Sequence, residues 1–149
     1  MIIPIQQHEI DNFFSRYETR INDALEGNEP EIEETVRSFT ESFIESSTSG
    51  VIVGNNDESF RKAIAEGWAY YRSIGITSME ILSTQITILD TLHAIVKVHW
   101  RSSFTRKNNT DGDINFDVFY LLQKRDDVIR IFAYITGDEQ QALKDEGLV

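Results

Sequence analysis

Apolar residues recur at steps of three and four near the start of the chain: Ile10, Phe13, Phe14, Tyr17, Ile21, Ala24 and Leu25. That spacing gathers them on one face of a helix, with Asp11, Arg16, Glu18, Arg20 and Asp23 on the other side. Gly27-Asn28 stops this helix. Asn28-Glu29-Pro30 opens a second, because Asn caps well and Pro is tolerated in a first turn. Its stripe is Ile32, Val36, Phe39, Phe43 and Ile44, and Ser46-Ser47-Thr48-Ser49-Gly50 ends it. Val51-Ile52-Val53 reads as a short strand. A third helix, capped by Asp57 or Ser59, carries Phe60, Ala63, Ile64, Trp68 and Tyr71 and stops at Gly75.

Beyond Gly75 the period changes to two. The stretches 76–89, 92–105, 114–124 and 127–136 are rich in Ile, Val, Thr, Phe and Tyr and predict four consecutive antiparallel strands. Asp90-Thr91 and Arg125-Asp126-Asp127 are the tight turns, and 107–113 is a polar loop. The tail, 138–149, can form a short last helix through Gln141, Ala142 and Leu143. Three helices followed by a meander predict an α+β domain over 1–149, with the helices on one face of a mostly antiparallel sheet. In strand 92–105, Ala94, Val96, Val98, Trp100 and Phe104 face the core, and His93, Lys97, His99 and Arg101 face away. Strict alternation places Phe119, Leu121, Phe132 and Tyr134 on the outer face of the last two strands. An apolar face that helices cannot reach predicts a homodimer through the outer side of the sheet.

Composition narrows the function. The 149 residues carry a net charge of −11, which argues against a nucleic-acid backbone as partner. With no cysteine, thiol catalysis, disulfides and Cys-ligated metal are excluded. Histidines at 8, 93 and 99 lack metal-ligand spacing, so neither metal nor cofactor is expected. No signal peptide is visible and no apolar run approaches the ~20 residues of a membrane span, so the expected setting is cytoplasmic, away from membranes. Asp111-Gly112-Asp113 starts like a calcium loop, but that pattern fails at Phe116 and Leu122.

Three stretches carry a family resemblance: Ala24-Leu25-Glu26-Gly27-Asn28, the strand Ala94-Ile95-Val96-Lys97-Val98-His99-Trp100-Arg101, and Phe116-Asp117-Val118-Phe119-Tyr120-Leu121-Leu122-Gln123 with the following Ile129-Arg130-Ile131. Together with the order of elements, they resemble the nuclear transport factor 2-like superfamily, which includes ketosteroid isomerases, scytalone dehydratase and SnoaL-like polyketide cyclases. The stretch from Trp68 to Ile76 is similar to uncharacterised bacterial members. The resemblance implies a cone-shaped α+β barrel whose sheet curls around the helices and leaves an apolar pocket open at one end. It also implies a carboxylate base near the first short strand in isomerase members, and Val51-Ile52-Val53-Gly54-Asn55 offers none. Tyr17 stands where the family's oxyanion-binding tyrosine would lie. One fold hosts many activities, so this likeness alone assigns none.

Three functions stay open: a small-molecule-binding domain with an apolar pocket, a cofactor-independent isomerase, dehydratase or cyclase, and a protein-interaction module. The expected ligand wall is Tyr17, Trp68, Tyr71, Trp100, Phe104 and Tyr120, since such rings line sites for small apolar molecules and are also plain core residues. Asp117 and Tyr17 are the candidate catalytic groups. Asp117 is either a pocket acid or base, or the partner of Arg101 or Lys97 across the sheet.

Overall fold

A computed structural model describes residues 2–149. Its elements are α1 (Gln7–Leu25), α2 (Ile32–Arg37), β1 (Phe39–Ser47), β2 (Gly50–Asn55), α3 (Glu58–Ile74), β3 (Ile76–Ile88), β4 (His93–Thr105), β5 (Asp111–Arg125), β6 (Val128–Ile135) and α4 (Glu139–Asp145). The strands form one sheet in the order β2-β1-β6-β5-β4-β3. Every neighbouring pair is antiparallel except β1 with β6. The α+β architecture, the helical first stripe and the four-strand meander all stand. The barrel does not close, because β2 and β3 remain the two edges.

One expected element changes type. The second helix is only Ile32–Arg37, and the chain then runs as the strand Phe39–Ser47. The cause lies in the pattern itself: Phe39 and Phe43 are four apart, which puts them on one side of either a helix or a strand. In the run from Phe39 to Ser47 the β-propensity comes from Phe39, Thr40, Phe43 and Ile44. Strand β1 then gives the short strand at Val51–Val53 its partner, through pairs such as Ile44 with Val53.

Local chemistry fixes the joints. The Gln6 backbone N–H donates to Glu9 Oε1 at 3.1 Å, which caps α1. Asp57 Oδ1 accepts from the Phe60 N–H at 3.1 Å at the start of α3. Asp126 and Asp127 both hold positive φ, 52° and 62°, in the two-residue turn from β5 to β6.

The core fills one side of the sheet. Ala94, Val96, Val98, Trp100 and Phe104 are at most 1% exposed and pack with Ile10, Phe14, Leu122 and Ile131. Burial of this apolar surface at roughly 25 cal/mol per Å² is the main stabilising term. Lys124 is buried as well, and its ammonium lies 2.9 Å from Glu9 Oε2, so the desolvated charge is paired.

A bulge in β6 overturns the expected facing of Tyr134. Leu121 pairs with Ala133, but Leu122 pairs with Ile131, which leaves Phe132 as an extra residue. Ile129 and Ile131 face the core, Phe132 and Ala133 face out, and Tyr134 turns back inward, opposite Tyr120. Only Phe119, Leu121 and Phe132 of the expected outer set lie on the outer face. Across that face two apolar rows run from strand to strand. One is Ile95, Leu121, Ala133, Ile44 and Val53, and the other is Phe119, Ile135, Ser46 and Val51 with one serine break.

Candidate functional site

Between the helices and the inner face of the sheet lies a cavity of about 400 Å³. Helix α1 contributes Tyr17 and Ile21, and α3 contributes Phe60, Ile64, Gly67, Trp68 and Tyr71. The sheet contributes Trp100, Ser102, Phe116, Val118, Tyr120 and Tyr134. Helix α4 crosses with Ala142 and Leu143. It is tied down by Arg106, whose Nε donates to the Glu146 carbonyl at 2.8 Å and whose Nη2 lies 3.0 Å from the Glu146 carboxylate.

Five of the six expected wall residues meet here: Tyr17, Trp68, Tyr71, Trp100 and Tyr120. Phe104 does not. It is 1% exposed and packed beside Gly112, with the Arg106 guanidinium 4.8 Å from its ring centre. Asp117 is on the opposite side of the sheet. Its carboxylate meets His99 Nδ1 at 2.6 Å and Lys97 Nζ at 3.8 Å, so the cross-strand pairing is the arrangement found, with His99 as the nearer partner.

The cavity holds four tyrosines and two tryptophans. Trp100 Nε1 donates to the Tyr120 hydroxyl at 3.3 Å. The Tyr71 hydroxyl donates to the Glu139 carboxylate. Tyr134 lies opposite Glu45 in the pairing of β6 with β1. Burial pushes the Tyr17 phenol up to about 12, against a smaller opposing pull from Arg20. Burial first, then the charge of Glu139, pushes Tyr71 well above the usual phenol range. Burial first, then Glu45, does the same for Tyr134. Tyr120 is raised mainly by burial. All four are therefore neutral hydrogen-bond donors at physiological pH.

Glu45, Tyr134 and Glu139 escaped the sequence reading. Glu45 was hidden by the assignment of β1 to a helix, and Tyr134 by the bulge. Glu139 reaches the cavity only because the tail folds back over it, and no local pattern announces that. Among the described residues, no group of three His, Asp or Glu side chains is placed to hold a metal ion. No helix among them is long and apolar enough to cross a membrane.

A family model described as NTF2-like protein (DUF6841) matches residues 8–139. Among solved structures, an NTF2-like protein with a cystatin-like fold from Novosphingobium aromaticivorans matches with TM-score 0.68 and 10% identity, over 96% of this chain and 88% of its own. Aln2 from a Streptomyces species matches with TM-score 0.66 and 13% identity, over 96% and 99%. A ketosteroid isomerase-like protein from Erwinia carotovora atroseptica matches with TM-score 0.60 and 16% identity, over 86% and 92%. At these identities the likeness is one of fold. No curated protein matches the chain.

Proposed function

The chain belongs to the NTF2-like family DUF6841, and from that premise we propose that it binds a small, largely apolar molecule in the cavity between helices and sheet. The observation that carries this reading is the aromatic-walled space of about 400 Å³, in the size range of small-molecule sites. A protein-interaction module would be expected to fill that space with its own side chains.

Both tryptophans of the chain, Trp68 and Trp100, line the cavity, so indole fluorescence reports on its contents. Gly67 lines it too, and a Cβ built there meets no atom within 4 Å. Gly67→Phe is expected to fold, to fill the space and to abolish the fluorescence change produced by a neutral aromatic probe such as 2-phenylethanol. A probe response that survives Gly67→Phe unchanged would place binding elsewhere.

The paired tyrosines and carboxylates favour a second reading, a cofactor-independent isomerase, dehydratase or cyclase. Glu45 would accept a proton from substrate, and neutral phenols would donate hydrogen bonds to the developing oxyanion. Loss of turnover in Glu45→Gln with ligand binding retained is the mark of that reading.

We also propose that two copies pair through the outer sheet face. The two apolar rows support this, with Phe119 37%, Ile135 46% and Ile44 43% exposed in the single chain. We also take the cytoplasm as the setting.

A further inference from the structure

The charges of the cavity wall are all of one sign. Glu45, Asp138 and Glu139 line it, and among the described residues no lysine, arginine or histidine does. Nor, among those residues, does any of these three carboxylates form an ion pair. The hydrogen-bond donor facing Glu139 is the neutral phenol of Tyr71. Arg20, the buried guanidinium of α1, stands behind the wall and not in it: it lies 5.6 Å from the Tyr17 ring centre, Nε donates to Thr35 Oγ1 at 3.2 Å and Nη2 to Ser38 Oγ at 2.8 Å.

Glu45 is half-buried, and Asp138 and Glu139 are exposed members of the lining, so together they present a negative field that a cation entering the cavity meets. The rings supply a second attraction of the same sign. The faces of Trp68, Trp100, Tyr71, Tyr120 and Tyr134 carry the negative lobes of their quadrupoles, which draw in a cation within about 6 Å, while the Tyr17 ring already holds Arg20 over one face. The net charge of −11 adds a long-range pull on cations. An anion would meet the opposite: carboxylates and ring faces, with no cation in the described lining. The rest of the wall, including Ile21, Ile64 and Val118, is apolar and suits a hydrocarbon body.

We propose that the cavity selects a molecule with a protonated amine on an apolar or aromatic body, the ammonium lying between Glu45, Glu139 and the surrounding rings. This rests on the reading of the cavity as a small-molecule site and names the class of ligand it takes.

The test compares three near-isosteres by tryptophan fluorescence and calorimetry at pH 7: 2-phenylethylamine, 2-phenylethanol and 3-phenylpropionate. The amine is expected to bind at least about tenfold more tightly than the alcohol, and the propionate least well. Glu45→Gln and Glu139→Gln, singly and together, are expected to bring the ratio of amine to alcohol affinity down toward one in a protein that still melts cooperatively. Equal affinity for amine and alcohol, or an amine preference that survives the double variant, overturns the charge selection and leaves the cavity a neutral apolar site. Failure of all three probes to give a signal that Gly67→Phe removes overturns the binding reading and this inference together.

Discussion

The indole N–H of Trp100 donates to the hydroxyl of Tyr120 across 3.3 Å, on neighbouring strands and at the wall of the cavity. Trp100 is 1% exposed, so it is at once core and ligand wall. Trp100→Ala is expected to cost about 3–5 kcal/mol in a denaturant melt, the range for large aromatics cut from a core. Trp100→Phe keeps most of the volume and deletes the donor, for an expected cost nearer ~1 kcal/mol. Near-equal losses for the two variants would mean that the hydrogen bond, not the packing, governs this position.

Outer-face residues give the test of assembly. Phe119→Lys together with Ile135→Glu puts charge in one of the apolar rows, where neither side chain supports the core. Sedimentation at micromolar concentration is expected to give twice the 17.2 kDa chain for the parent and the single chain for the double variant, with little change in melting temperature. A parent that sediments as one chain ends the dimer proposal. Tyr134→Glu serves no such purpose, because the bulge at Phe132 turns Tyr134 into the cavity, where it would damage folding and binding.

The parts of the fold written in local periodicity were legible. Ile10 to Leu25 could only be one helical stripe, and Ala94 to Phe104 could only be one alternating strand. Cap chemistry marked Gly75 as the end of α3 and Asp57 or Ser59 as its start, and Asp57 is the cap. Position became illegible where two periods coincide, as at Phe39 and Phe43, or where one inserted residue reverses all that follow, as at Phe132. Those two failures concealed Glu45 and Tyr134. Asp117 shows a third limit. Its sequence neighbours Phe116 and Val118 made a pocket carboxylate conceivable, yet alternation alone sets it beside His99 and Lys97 on the outer face.

Tyr17, Tyr71, Tyr120 and Tyr134 all have phenols raised by burial, Tyr17 to about 12. The fold therefore prefers their neutral forms. For a group raised above its unfolded value of about 10, the stabilisation is complete below pH 10 and is lost as pH climbs through the folded value. Melting temperature is expected to hold up to about pH 10 and then fall steeply. Tyrosinate absorbance from these four should rise together with loss of secondary structure. Ionisation of all four near pH 10 with the fold intact would show that the cavity is wetter than its geometry implies.

Gly67 and Gly75 belong to the same helix, and alanine is expected to act on them with opposite sign. Gly67 is in the interior of α3, and an added Cβ there meets nothing within 4 Å. Alanine lowers the backbone entropy of the unfolded chain and favours the helix, so Gly67→Ala should stabilise by about 0.5–1 kcal/mol. Gly75 ends the helix in the left-handed region, at φ +101°, and its carbonyl accepts from the Thr105 N–H at 2.9 Å. A Cβ there would lie 2.2 Å from the Thr105 carbonyl oxygen, which is backbone and cannot swing away. The left-handed conformation alone costs an L-residue roughly 1–2 kcal/mol, and the collision adds to it. The strand edge that Gly75 holds also seats Ile76, a cavity residue, so Gly75→Ala should weaken probe binding as well as stability. Paired thermal melts and a 2-phenylethanol titration check this. A Gly75→Ala protein that melts like the parent would mean that the joint between α3 and β3 yields freely, and that the wall it supports is not rigid.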